Sequence, residues 1–173
     1  MRTRDPLRDP APLVRRVYAY VAYRVGDGPD AEDITSDVFE RALRYRDSYD
    51  PSKSRPIAWL IGIARRCIVD AARQGVEPVA EPPAVADTDE VEDDAVRRLT
   101  LRNAVAELAP RDQELIALRY GADLTARQIG EQMGLRTNAV EVALHRALEQ
   151  LRAALERPRR EAMPVDLQRS VRV

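Results

Sequence analysis

Residues 125–147, TARQIGEQMGLRTNAVEVALHRA, constrain the fold most, because they predict two short helices joined by a tight turn. Thr125 is a favourable N-cap residue, and Gln128, three positions later, completes a capping box. Gly134 follows the first predicted helix, where a left-handed backbone conformation is needed to end a helix sharply. A second helix begins within a few residues of this glycine.

The second helix is amphipathic, with Val140, Leu144 and Leu148 on its inner side. Its other side carries Thr137, Asn138, Glu141, His145 and Arg146. This pattern is typical of a helix-turn-helix unit, whose second helix can enter the DNA major groove. Helical hairpins with a glycine turn also occur in all-α proteins that do not bind DNA, so this stretch alone leaves both interpretations open.

Composition excludes several classes of site. The 173 residues are 45% apolar but include one Phe and one Trp, so the core must be mainly aliphatic. A single cysteine, Cys67, and a single histidine, His145, cannot form a disulfide framework or a zinc cluster. We predict no metal and no cofactor, and interpret Cys67 as a small buried apolar residue. Without a signal peptide or a long apolar run, the chain is expected to be cytoplasmic and to make no membrane contact of its own.

Charge divides the chain into three blocks. Residues 1–74 carry a net charge of +3, residues 75–95 carry −8, and residues 96–173 carry +4. We therefore predict an all-α fold of two small helical domains joined by a flexible acidic linker, with the helix-turn-helix in the second domain. The predicted divisions are a disordered tail at 1–11, a domain at 12–74, the linker at 75–94, a second domain at 95–156, and a disordered tail at 157–173.

The first domain is predicted to hold three helices, over Pro12–Val25, from Pro29 onward, and over Pro56–Gln74. Between the last two lies a loop, 45–54, that contains two tyrosines and the only lysine of the chain. The third helix places Arg65, Arg66 and Arg73 on its outer side. Arginines beside an aromatic loop can bind phosphates and unstacked bases. They are equally compatible with an ordinary solvated surface.

Further helices are predicted over about 95–108 and 110–121, and the second helix of the helix-turn-helix is expected to reach Glu156. The acidic linker is open to two interpretations: a segment kept disordered by charge repulsion, or a mimic of a nucleic-acid backbone. We find no nucleophile elbow, phosphate-binding glycine loop or metal-spaced cluster, so the sequence does not indicate an enzyme.

Three stretches, in this order, resemble the small two-domain class of bacterial RNA polymerase sigma factors known as the extracytoplasmic-function (ECF) class of the sigma-70 family. They are DAEDITSDVFERAL (30–43), RPIAWLIGIARRCIVDAAR (55–73) and the run from Leu108 to Arg152. The resemblance implies promoter recognition at −10 and −35 elements and opening of the −10 region. It also implies binding to the clamp of the largest subunit of core RNA polymerase and to the flap of the second largest.

The resemblance implies three sets of site residues. Those expected to bind core polymerase are Asp33, Ser36, Asp37 and Glu40. Those expected to bind the −10 element are Tyr45, Tyr49, Lys53, Arg55, Trp59, Arg65, Arg66 and Arg73. Those expected to bind the −35 element are Arg127, Arg136, Thr137, Asn138, Glu141, Val142, His145 and Arg146.

Several positions depart from the family pattern. Ser36 stands where the family often has Gln, and Arg66 where it has Asn, which suggests stronger phosphate or guanine contact near −10. Glu141 and Ala143 replace a basic pair, and Val142 replaces Ser. Losing two guanidinium groups weakens phosphate binding, although a carboxylate can still accept from cytosine and Val142 can contact a thymine methyl. We therefore expect either an unusual −35 sequence or weak binding that depends on polymerase for placement.

Family members are often inhibited by an anti-sigma factor that contacts both domains, so we expect such a partner, and a chain that is monomeric when free. Two other interpretations remain. One is a sigma-like protein that docks on polymerase or an anti-sigma factor without reading promoters, as the Glu141–Ala143 run would allow. The other is a dimeric helix-turn-helix repressor, which requires a dimer face and a palindromic site.

Overall fold

The computed structural model describes residues 5–74 and 89–157, and of residues 89–95 it describes the backbone only. Seven α-helices and no strand occur in these ranges, as the all-α prediction requires. The predicted acidic linker falls largely outside the described residues, as do residues 1–4 and 158–173 of the predicted tails.

The first three helices begin at prolines, whose fixed φ suits the first turn and whose missing N–H is not needed there. They are α1 (Pro10–Val25), α2 (Pro29–Arg44) and α3 (Pro56–Arg73). A short 3₁₀ turn, Arg46–Ser48, follows α2. Helix α1 starts two residues before the predicted Pro12, and α3 ends one residue before Gln74. All three helices pack against one another around Val17, Leu60 and Ala64.

The remaining helices are α4 (Asp89–Ala106), α5 (Pro110–Ile116), α6 (Ala126–Met133) and α7 (Thr137–Glu156). A π-helical turn, Ala117–Gly121, extends α5 and closes with a 2.9 Å hydrogen bond from Ala122 N to Ala117 O. Helix α4 begins at Asp89, six residues before the predicted start.

The two groups of helices pack together through α1. The π-helical turn lies against α1, and a continuous buried cluster contains Val17 and Tyr20 of α1 together with Leu118 and Leu124. We call this packing the closed arrangement. A second, smaller cluster lies between α4, α5 and α7 around Val105, Ile116 and Ala147. No helix in the described ranges is long and apolar enough to cross a membrane.

Candidate functional site

The helix-turn-helix is formed by α6 and α7. The hydroxyl oxygen of Thr125 accepts a hydrogen bond from Gln128 N at 3.3 Å, and Thr125 N donates to Gln128 Oε1 at 2.9 Å. Gly134 ends α6 in the left-handed conformation with φ 68°. Val140 and Leu144 are buried, as the sequence pattern predicted. The predicted capping box and the predicted glycine turn are both confirmed.

The outer face of α7 is free of packing against the rest of the described chain. Every residue expected to bind the −35 element is exposed: Arg127, Arg136, Thr137, Asn138, Glu141, Val142, His145 and Arg146. Arg127 forms an ion pair with Glu131 at 3.1 Å, and His145 Nε2 lies 3.3 Å from Glu149. Val142 is 52% exposed, so its methyl groups are available to a partner. Most of these residues lie on α7, and the major groove of B-DNA is wide enough to admit one α-helix.

A cavity of about 460 Å³ opens between the end of α2, the 3₁₀ turn and α3. Three of the residues expected at the −10 element line it: Tyr45, Trp59 and Arg66. The other lining residues are Arg41, Arg44, Ser48 and Ile63, and sequence reasoning missed them. Arg41 is ion-paired with Asp70 and Arg44 with Glu40, each at 2.7 Å. The aromatic wall and the guanidinium group of Arg66 suit an unstacked base and its phosphate. We call this the Arg–Trp cavity.

Tyr49 has a different position from the one expected of a base-stacking residue. Its side chain is buried, and its hydroxyl donates to Ser54 O at 2.8 Å. Its ring centroid lies 5.4 Å from that of Trp59 at a tilt of 57°. Burial raises the pKa of the Tyr49 hydroxyl. Tyr49 therefore supports Trp59 from behind and does not face the Arg–Trp cavity.

Four basic residues expected at the −10 element lie outside the cavity lining. Lys53, Arg55 and Arg73 are exposed, and Lys53 Nζ lies 3.6 Å from Asp50. The outward position predicted for Arg65 is wrong. Its guanidinium lies 2.7 Å from Glu114 of α5, and its side chain is 33% exposed, so it turns toward the second group of helices.

The residues expected to bind core polymerase are all exposed on α2: Asp33, Ser36, Asp37 and Glu40. Two of them, Asp33 and Asp37, line a groove of about 250 Å³ between α2 and α3. Asp30 and Asp70 also line it, and Cys67 contributes from the buried side. Burial raises the pKa of the Cys67 thiol, in agreement with its prediction as a buried apolar residue. The groove presents carboxylates to any basic partner segment.

Arg41 connects the acidic groove with the Arg–Trp cavity, since it lines both. Its guanidinium lies 2.7 Å from Asp70 Oδ2 and 3.3 Å from Asp37 Oδ2. The hydrogen bond to Asp70 raises the pKa of Arg41, which is charged at any physiological pH. A helical-wheel reading of α2 could have identified Arg41 and Arg44, because both lie in the last turn facing the loop.

In the described part of the chain, no group of His, Cys, Asp and Glu residues is placed to hold a metal ion.

Two family models match the chain. Sigma-70 region 2 matches residues 11–76, and sigma-70 region 4 matches residues 98–151. The chain is 31% identical over 148 residues to RNA polymerase sigma factor CarQ of Myxococcus xanthus, with 81% of this chain and 83% of CarQ aligned. It is 33% identical over 145 residues to ECF RNA polymerase sigma factor BldN of Streptomyces coelicolor. That match covers 78% of this chain but 54% of BldN, so the chain spans about half the length of that relative.

Two solved structures share the fold. One is the sigma factor RpoE in complex with the anti-sigma factor NepR from Bartonella quintana, with a TM-score of 0.63 and 20% identity. It covers 84% of this chain and 93% of that one. The other is CnrH in complex with the cytosolic domain of CnrY, with a TM-score of 0.58, 21% identity, and 86% and 83% of the two chains covered.

Proposed function

The chain belongs to the ECF class of the sigma-70 family, and on that basis we propose that it binds core RNA polymerase and directs promoter-specific transcription initiation. Polymerase performs the chemistry, and this chain contributes recognition and strand separation without being an enzyme itself. We assign residues 12–74 to polymerase binding and the −10 element, and residues 95–156, with α4 extended back to Asp89, to the −35 element. The predicted linker, 75–94, joins them, and its last six residues are part of α4.

The Arg–Trp cavity carries the proposal. Base capture requires a ring to stack on and a cation for the phosphate beside a cleft, and Trp59 and Arg66 supply the ring and the cation in the lining of one cavity. Tyr45 is 54% exposed at the rim, where it can stack on a second base. Arg41 lines both the cavity and the acidic groove, which supports a −10 strand bound next to the proposed polymerase contact.

The second domain is proposed to present α7 to the −35 major groove. Glu141 and Val142 lie at the centre of the exposed face, and Arg146 supplies a guanidinium one turn further on. The carboxylate of Glu141 can accept from cytosine N4, and Val142 can contact a thymine methyl. Glu141, Val142 and Ala143 supply no cation at the centre of this face, so phosphate binding contributes little affinity for DNA. We propose that the contact mainly positions the protein along the promoter.

Partners follow from the same surfaces. The acidic groove is proposed to bind the clamp of the largest polymerase subunit, and the second domain to bind the flap of the second largest. RpoE and CnrH were each solved with a protein partner, NepR and CnrY respectively. By analogy we propose an anti-sigma factor for this chain, which would cover Asp33, Asp37 and part of the second domain. The free chain is proposed to be a cytoplasmic monomer.

In vitro transcription tests the proposal. The purified chain is mixed with sigma-free core polymerase and fragmented genomic DNA, and the 5′ ends of the transcripts are sequenced. We expect discrete start sites that share two upstream elements, absent with core alone and reduced with Arg66→Ala. If the chain binds core but yields no start sites, while a control sigma is active, the proposal is wrong and a docking protein is indicated.

A further inference from the structure

One guanidinium group of the Arg–Trp cavity is available to a ligand. Arg41 and Arg44 also line the cavity, but both are ion-paired. Asp70 lies one helical turn after Arg66, yet it pairs with Arg41 and not with Arg66. Within the described part of the chain, the exposed Arg66 side chain has neither an ion pair nor a hydrogen bond. Its N–H donors are therefore open to a ligand in the cavity.

Helix α3 places this group on the same wall as the aromatic ring. Trp59, Ile63 and Arg66 occupy positions i, i+4 and i+7 of the helix, and all three line the cavity. The Cα atoms of Trp59 and Arg66 are about 10 Å apart along the helix axis, at a rise of about 1.5 Å per residue. Long side chains on a helix point back toward its N-terminus, so Arg66 reaches over Ile63 toward Trp59. A base stacked on the Trp59 ring therefore turns one edge toward the guanidinium group.

The guanidinium group selects bases by the pattern of acceptors on that edge. It is a planar fork of donors with no acceptor, so it pairs best with two acceptors side by side. Guanine presents N7 and O6 in this way, and arginine on these two atoms is the commonest base-specific contact between proteins and DNA. Adenine presents N7 beside an amino donor, which would face the N–H groups of the fork. Guanine is therefore the purine that Arg66 favours.

A hydrogen-bond acceptor lies on a different wall of the cavity. Ser48 belongs to the 3₁₀ turn, and its hydroxyl donates to Tyr45 O at 2.7 Å. The hydroxyl hydrogen is used in this bond, so the Ser48 oxygen can only accept from a ligand. Guanine carries two adjacent acceptors, N7 and O6, and two adjacent donors, N1–H and the N2 amino group. It therefore matches a cavity with donors on α3 and an acceptor on the 3₁₀ turn.

Cytosine is the nearest competitor, because its N3 and O2 atoms are also adjacent acceptors. An unstacked cytosine can turn this edge to the fork, but its single ring covers less of the Trp59 indole than a purine does. Stacking on aromatic side chains contributes much of the affinity for single strands, so the smaller ring binds more weakly. The cavity of about 460 Å³ lies within the range of pockets that hold small molecules, and it has room for a two-ring base.

A phosphate is the other ligand that the sequence suggests for Arg66. Two exposed cations of the same domain, Lys53 and Arg55, lie outside the cavity lining, where they can bind the phosphates of a strand. Arg66 differs from them because it shares the cavity wall with the stacking ring. A phosphate contact carries no base preference, whereas a contact with a base edge does, so strands of different sequence distinguish the two roles.

We propose that the Arg–Trp cavity selects guanine, with the Arg66 guanidinium group on N7 and O6 and the Ser48 oxygen as acceptor for the donor edge. The inference rests on the proposed function and deepens it, since it names the base that the cavity takes from the −10 strand. Arg66 is then a specificity-determining residue. A side-chain amide at this position pairs with adenine instead, so its introduction should change the base that is selected.

Fluorescence titration of the full chain tests the selection without a mapped promoter. Trp59 is the only tryptophan of the chain, so its emission reports a base stacked in the cavity. The probes are short thymidine strands with one central guanine, adenine or cytosine, which can slide until that base occupies the cavity. We expect the guanine strand to quench Trp59 most and to bind about 10-fold more tightly than the adenine and cytosine strands.

Two variants and one altered base identify the atoms involved. Arg66→Lys keeps the positive charge but loses the fork, so it should reduce the guanine preference to about 2-fold or less. Arg66→Gln should remove the guanine preference and favour adenine. A strand with 7-deazaguanine, which lacks N7, should bind wild type about 5-fold more weakly than the guanine strand does, and Arg66→Lys should not distinguish the two. The matched control is Arg15→Lys, an exposed arginine of α1 outside the cavity lining, which should behave as wild type with every strand.

The outcomes separate the inference from the proposed function. Equal affinity for all strands, a guanine preference that Arg66→Lys retains, or the absence of Trp59 quenching by any strand overturns the inference. If transcription then still begins at discrete start sites, the proposed function stands and the captured base is not chosen by Arg66. A guanine preference that depends on Arg66, together with an absence of start sites, overturns the proposed function and leaves the cavity as a guanine site.

Discussion

Gly130→Ala should destabilise the helix-turn-helix, although helix propensity predicts the opposite. Gly130 lies inside α6, where alanine is favoured over glycine by about 1 kcal/mol. A Cβ at this position, however, would lie 2.6 Å from the carbonyl oxygen of Leu135, a backbone atom of the turn. Gly130 O also accepts hydrogen bonds from Gly134 N and, at 2.9 Å, from Leu135 N, so the turn is held to α6 on both sides.

The magnitude follows from these two opposed effects. Ordinary van der Waals contact begins near 3.4 Å, so the turn must move by several tenths of an ångström, and enlargements that force backbone shifts cost about 2 to 3 kcal/mol. The higher helix propensity of alanine offsets about 1 kcal/mol of this cost. We therefore expect Gly130→Ala to lower the free energy of unfolding by about 1 to 2 kcal/mol. For a chain of this size that lowers the unfolding midpoint by about 2 to 8 °C.

Thermal unfolding monitored by circular dichroism measures the effect, and Gly62→Ala is the matched control. Gly62 lies in α3 with open space around its Cβ position, so its replacement should raise stability by up to about 1 kcal/mol. The two glycine-to-alanine changes should therefore have opposite signs. A Gly130→Ala variant as stable as wild type, or more so, would falsify the argument that the turn cannot move. The turn leads directly into α7, which begins at Thr137 and carries the residues proposed to bind the −35 element. A displaced turn should therefore also weaken binding to a duplex that contains this element.

Three further predictions concern the charged surfaces and pH. Arg66→Ala should leave stability within about 0.5 kcal/mol of wild type, because Arg66 is exposed, yet weaken −10 strand binding by about 1 to 3 kcal/mol in a fluorescence titration. Glu141→Lys should raise affinity for nonspecific duplex. It should also steepen the slope of log affinity against log salt concentration by about 0.9, and an unchanged slope would show that position 141 does not face DNA. Burial, and then the nearby Glu114 carboxylate, raise the pKa of Tyr20 in the folded chain, so its contribution to the closed arrangement is complete below pH 10 and is lost as pH rises above that value. Scattering at increasing pH should show expansion there, and Tyr20→Phe, which has no proton to lose, should show less.

Local features were predictable because they depend on residues near one another in the chain. The capping box at Thr125, the turn at Gly134 and the end of α7 at Glu156 all follow from periodicity and cap chemistry within one or two turns. The exposed face of α7 follows from the same periodicity. Pro29 and Pro56 marked the starts of α2 and α3 for the same local reason.

The candidate site was only partly predictable. Trp59, Tyr45 and Arg66 were expected near the −10 strand, and the structure brings them to one cavity. Tyr49 was expected there too, but it packs behind Trp59. A loop tyrosine can face outward or inward with the same sequence around it, and only the packing of its neighbours decides which.

The sequence by itself therefore determined the helices, their caps, the helix-turn-helix and the family. Only the tertiary structure decided how the domains meet. Tyr20 and Glu114 are 94 positions apart, and Arg65 and Glu114 are 49 apart, so no local period connects them. Arg65 looked like an outward cation because helical periodicity describes only which face of α3 is buried, whereas its partner Glu114 comes from the other domain. The close approach of Gly121 to α1 is likewise set by the packing of two helices, and a single sequence carries no periodic signal for it.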